Sequence, residues 1–209
     1  MGLMLRYNLF RDVTAPAVYG MLLNFYAQRG RPLKHAGTDD ERIDVHDADN
    51  GWVVVELDSG WEWNERRQAQ RYVSQHLGCA GLLVFGYDGD YWGYELFNHG
   101  VVLDQFTQER SDTPVGFPNK PTQGNAAILA AQLPFLRETD VAPYLTQMHD
   151  WSIPADANTK ARPEDEYNRF DECAVLDFLR MLGVAVSVEN GYVQLASRRY
   201  RSLWKTNSG

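Results

Sequence analysis

The sequence predicts an α+β protein with a mostly antiparallel sheet built from hairpins and a three-stranded meander, with helices packed on it. Three observations carry this. Residues Gly81–Thr107 read as three consecutive strands joined by tight turns at Asp88–Gly89 and His99–Gly100. Asn50–Gly51 and Glu189–Asn190–Gly191 mark two further hairpins. Three stretches between and around these hairpins place apolar residues at helical spacing.

Taken in order, Leu5–Phe10 forms a short strand. Thr14 and Pro16 then open a helix over about 15–29, with Val18, Met21, Leu22 and Phe25 on one stripe and Gly30 as its stop. Arg31–Asp40 is a polar loop. ERIDVHD and WVVVEL flank the Asn50–Gly51 turn, and the long apolar run of the second places it centrally in the sheet. ERIDVHD is polar enough to be an edge strand. The next helix falls between Ser59 and Gly78, with Asn64 as its cap. Ala69, Tyr72, Val73, His76 and Leu77 lie on its apolar side, and Arg66, Arg67, Gln68 and Arg71 on its solvated side. Trp61 and Trp63 lead into it, either as an exposed aromatic platform or as the hydrophobic lip that staples helix to sheet.

In the meander, a two-residue loop at Asp88–Gly89 sets Phe85 opposite Trp92 and Leu83 opposite Tyr94. One face is then Leu83, Phe85, Tyr87, Trp92, Tyr94 and Leu96. The other holds Leu82, Val84, Gly86, Tyr91, Gly93, Glu95 and Phe97. The same logic at His99–Gly100 puts Glu95 opposite Asp104. Two like charges directly opposed are unfavourable in a sheet. Either the pair binds a cation, a proton or a basic partner, or a longer turn moves Asp104 to the other face. Glu95, Asp104 and Tyr91, with Trp61 and Trp63, are the candidate binding residues.

Downstream, Gln108–Gly124 is a long loop with three prolines. Short helices are expected over Asn125–Leu133 and over Asp140–Met148, the latter capped by Asp140. Trp151–Pro163 is a connection at which the chain could subdivide. Pro163–Leu182 has the longest helical pattern, with Glu164, Asp165 and Glu166 at its positive end. Val184–Val188 and Tyr192–Ala196 make the last hairpin. Residues 1–196 are read as one domain, followed by a basic, aromatic tail at 197–209.

The chain has 209 residues, 44% hydrophobic and 12% aromatic, with a formal net charge of −8. Such a balance disfavours nucleic acid and anionic membranes as partners and suits a basic one. Cys79 and Cys173 have no metal-ligand spacing, so buried thiols in a reducing, cytoplasmic setting are expected. No stretch is apolar enough to span a bilayer, and MGLMLRYNLF lacks a signal-peptide pattern. No GxGxxG after a strand, P-loop, GxSxG or HExxH is present, so no cofactor, metal or catalytic set is expected. His46–Asp47 and His149–Asp150 have the form of metal-phosphohydrolase pairs but lack the further ligands.

The runs YDGDYWGYELFNHGVVLDQF, GNAAILAAQL and DECAVLDFLRMLGV resemble a family of uncharacterised bacterial cytosolic proteins over about 51–196. The small acidic α+β character is also similar to that of immunity proteins of bacterial toxin systems, by fold and charge alone. Acidic charge, abundant aromatics and the absence of a catalytic constellation point to a non-enzymatic binding protein, an immunity or antitoxin-like factor that occludes a basic partner. The alternative is a hydrolase using the Glu95–Asp104 pair.

Overall fold

A computed structural model of the chain describes residues 5–34, 42–57, 62–87, 91–109, 122–148, 152, 158–171, 173–189 and 192–204. The strands are β1 (Leu5–Arg11), β2 (Arg42–Asp47), β3 (Trp52–Leu57), β4 (Ala80–Tyr87), β5 (Tyr91–Asn98), β6 (Val101–Thr107), β7 (Val186–Glu189), β8 (Tyr192–Leu195) and β9 (Arg198–Trp204). The helices are α1 (Ala15–Ala27), α2 (Trp63–Leu77), α3 (Ala126–Gln132), α4 (Glu138–Val141) and α5 (Ala174–Met181). Seven strands form one antiparallel sheet in the order β6-β5-β4-β1-β3-β2-β9, and β7 and β8 form a second. The fold is α+β. No described helix is long and apolar enough to cross a membrane.

The chain divides into two compact units, each made of discontinuous stretches. The first comprises Arg6–Leu83, Phe97–Val101 and Ser197–Gly209. The second comprises Met1–Leu5, Val84–Leu96 and Val102–Ala196. The 151–163 connection lies inside the second.

In the first unit the connectivity is β1-α1-β2-β3-α2-β4, with β4, β1, β3 and β2 side by side in that order. This is the ferredoxin-like, doubly split βαβ order: each helix links two strands that have a third between them. The hairpin predicted at Asn50–Gly51 forms, because both residues take positive φ (63° and 78°), which asparagine and glycine tolerate. β3 is central, pairing antiparallel with β1 and with β2. Alternation along the strands sends Phe10, Ile43, Val45, Val53 and Val55 into one apolar core with Val18, Leu22 and Phe25 of α1 and Ala69 and Val73 of α2.

Three expectations fail in this unit. β2 is not an edge strand, because residues of the predicted basic tail form β9 and pair with it from Arg42↔Trp204 to Asp47↔Arg198. Leu203 anchors that strand in the core, fully buried, while Arg198, Arg199 and Arg201 point out to solvent. Arg66, expected on the solvated side of α2, is fully buried beside Ala69, Gln70, Val73 and Ser74. Polar backbone contacts set the helix's rotation: Asn8 Nδ2 donates to the Arg66 carbonyl (3.2 Å) and Gln70 Nε2 to that of Leu9 (3.0 Å). A stripe counted on apolar residues alone misses such contacts. Asn64 is not the cap either; the helix opens after Glu62 and closes at Gly78 (φ 62°).

In the second unit Phe178 of α5 is the packing centre. Its ring lies 4.8 Å from that of Trp92, stacks on Tyr94 at 5.6 Å and meets Tyr144 at 5.8 Å. α3 is capped by Asn125, whose Oδ1 accepts from the Ala127 and Ile128 amides. α4 starts before Asp140, at Glu138, and a single 3-10 turn over Ala142–Tyr144 follows it. The long helix expected from Pro163 is reduced to the eight residues of α5. Aspartate side chains take the backbone amides upstream of it: Asp165 accepts from the Arg162 amide, Asp171 from that of Cys173, and Asp177 of α5 itself from that of Tyr167.

Candidate functional site

The meander supplies most of the predicted site residues, and its two registers decide where they point. β4 ends at Tyr87 and β5 begins at Tyr91, with three residues between them, and Asp88–Asp90 lie outside the described residues. Phe85 meets Tyr91 edge-on, with ring centroids 6.4 Å apart. A Cβ on Gly93 would come within 2.6 Å of the Phe85 ring. Phe85 therefore shares a face with Tyr91 and Gly93, not with Trp92 and Tyr94 as expected. One residue more in the loop exchanges the faces.

A similar slip separates the two carboxylates. His99 and Gly100 take positive φ (50° and 77°), as a two-residue turn requires. Farther along, however, the Gln108 amide donates to the Trp92 carbonyl (2.9 Å), one residue beyond the register that turn sets. Gln105 is thereby brought beside Glu95, and its Nε2 donates to Glu95 Oε1. Asp104 instead accepts from the Tyr94 hydroxyl (2.7 Å) and from the Asn125 amide (2.9 Å). Tyr94 and Glu95 are successive residues of a strand and face opposite ways. Glu95 and Asp104 are not brought together: of the two alternatives the sequence left open, Asp104 on the other face is the one observed, reached by a slip beyond the turn and not by a longer turn.

Each carboxylate is held as a structural acceptor. Glu95 is fully buried, whereas Asp104 is partly exposed. Burial, reinforced by Asp104, pushes the Tyr94 phenol well above its ordinary range, so it remains a donor to that carboxylate. Tyr91 is buried against Phe85, and Trp63 is the half-buried first residue of α2. Trp61 lies outside the described residues.

What the meander does present is an edge. β6 ends the sheet, and among the described residues a crossing segment covers its outer side at the far end alone: Gly124 donates to the Gln105 carbonyl (2.8 Å) and Thr107 to that of Thr122 (2.9 Å). Among the described residues no strand pairs with that side at Val101–Asp104. Val101 and Leu103, two apart and so on one face, are 58% and 37% exposed. The two-residue turn at His99–Gly100 sets Leu103 opposite Leu96 on the apolar face, so sequence reasoning counted Leu103 as covered and did not single out Val101. The missed cue was their place in the last strand of a meander followed by a proline-rich loop. Comparison with family models, with curated proteins and with solved structures returns no match.

Proposed function

We propose that the chain is a non-enzymatic protein-binding factor that accepts an extended segment of a basic partner along the open side of β6. The observation that carries this reading is the pair Val101 and Leu103, large apolar side chains exposed on a stretch of edge strand that is unpaired among the described residues. Exposed edges of this kind pair readily with another chain, since backbone N–H and C=O groups already point outward and alternate side chains supply selectivity. The net charge of −8 adds the sign of the partner: a cationic protein is steered toward this one and an acidic one repelled. An immunity or antitoxin role, in which a basic active surface is blocked, is the form of binding that fits both features. The hydrolase alternative lacks comparable support, because Glu95 and Asp104 lie on opposite faces of the β5–β6 pair.

Affinity purification of the full chain at low and high salt, alongside the Val101→Lys/Leu103→Lys double variant, tests this. A basic protein retained by the wild-type chain, released by salt and absent from the variant supports edge recognition. Equal retention by both chains overturns it, as does a retained partner that is acidic.

A further inference from the structure

Away from the meander, the face of β2 and β3 turned from the helices carries polar groups in one row. The pairings Tyr7↔Glu56, Asp44↔Glu56 and Asp44↔Ser202 align Tyr7, Glu56, Asp44 and Ser202 across four strands. His46 stands two residues from Asp44 on the same face. A donor atom from each of Asp44, His46 and Glu56 lies within 4.8 Å of the other two. Asp44 and His46 are buried, 2% and 5% exposed, while Glu56 reaches partly to solvent. We infer that Asp44, His46 and Glu56 form a binding site for a divalent transition-metal ion.

Three features support this beyond the residue types. The imidazole Nε2 of His46 is buried and has no hydrogen-bond partner, a cost the fold would otherwise avoid. It faces Glu56 Oε2 at 3.8 Å. Two ligands bound about 2.0–2.2 Å from one ion stand about 3.4 Å apart in tetrahedral geometry, so a small contraction would admit the ion. The other ring nitrogen, Nδ1, is 3.2 Å from the Ser197 hydroxyl. An N–H at Nδ1 donating to that oxygen fixes the tautomer that leaves Nε2 unprotonated, which is how metal-bound imidazoles are commonly oriented.

The surroundings also set the charge. Arg42 Nε and Arg199 each contact Asp44 Oδ2, at 3.1 and 3.2 Å, and Ser202 donates to Oδ1. Asp44 therefore has to exchange a contact to bind, and His46 with Glu56 are the principal ligands. One imidazole with two carboxylates suits zinc or manganese more than calcium or magnesium, which prefer all-oxygen shells.

The test is calorimetric titration of the chelator-treated full chain with Zn²⁺ alone, with thermal melting as a second readout. One ion per wild-type chain and a raised melting temperature are expected. His46→Gln and Glu56→Gln should each weaken binding at least tenfold, and Mg²⁺ should not compete. Glu56 is partly exposed, so its variant keeps the test open if His46→Gln does not fold. Absence of saturable Zn²⁺ binding overturns the site. Unchanged binding by folded Glu56→Gln, which would mark uptake by other histidines, overturns it too, as does displacement by Mg²⁺. None of these results depends on the β6 edge.

Discussion

Two buried carboxylates, one in each unit, sit near the middle of their strands and have opposite surroundings. Glu95 is fully enclosed and accepts a hydrogen bond from a neutral amide, that of Gln105. Asp44 is equally enclosed, but two guanidinium groups and a serine converge on it and a histidine lies alongside. A buried carboxylate that accepts from an amide across the sheet acts as a register pin: that contact works in one alignment of β5 and β6 only. A carboxylate among cations, with a buried imidazole nitrogen left unmet, is a place where charge is gathered. Burial by itself distinguishes nothing here. Partner chemistry does.

The largest expected effect probes the first of these regions. Phe178→Ala removes the ring on which Trp92, Tyr94 and Tyr144 rest, and should cost about 4 kcal/mol. Urea unfolding measures it. A loss under about 1 kcal/mol would mean that β5 is held by something other than its packing on α5.

Next come the carboxylates themselves. Asp44→Asn keeps the shape but leaves Arg42 and Arg199 without their countercharge; with Arg199 half-exposed, a loss of about 2 kcal/mol is expected. Glu95→Gln keeps one acceptor for Gln105 and should cost about 1 kcal/mol. Paired urea melts of the two variants decide the comparison. If Glu95→Gln proves the more damaging, Glu95 is more than a register pin.

The elements of this fold were largely legible in the sequence, and their registers were not. Asn50–Gly51 and His99–Gly100 announced their turns because few residue pairs accept positive φ twice. Whether two or three residues made the other meander loop could not be read from Asp88–Gly89, and that one residue exchanged the faces of Phe85 and Trp92. The tail at 197–209 read as basic because its arginines point outward; Leu203, the residue that seats β9, is a single apolar signal among them. The polar row was hidden for a related reason. Asp44 and His46 in a charged segment suggested a solvated edge, which holds only while no strand lies beyond it. The available cue was Glu56, the one charge within WVVVEL, set directly opposite Asp44 by the Asn50–Gly51 hairpin.

The smallest effect contrasts how the two units enclose a thiol. Cys79 follows the glycine that ends α2 and is buried; Cys173 precedes α5 and is partly exposed. Burial pushes the Cys79 thiol up to about 11, against a weaker opposing pull from a backbone hydrogen bond. The thiolate is the reactive form, and its folded pKa is raised, so the labelling rate of Cys79 should still be climbing between pH 9 and 11, where an ordinary thiol has levelled off near its value of about 8.5. By the same sign, ionisation of Cys79 favours the unfolded chain, and its contribution to stability declines as pH rises through that window. A Cys173→Ser chain isolates Cys79, and a Cys79→Ala chain isolates Cys173. Labelling of Cys79 that levels off by pH 9 would show that the β4 end of the first unit opens far more readily than its burial implies. The polar row two strands away would then have to be judged in an open sheet instead of a closed one.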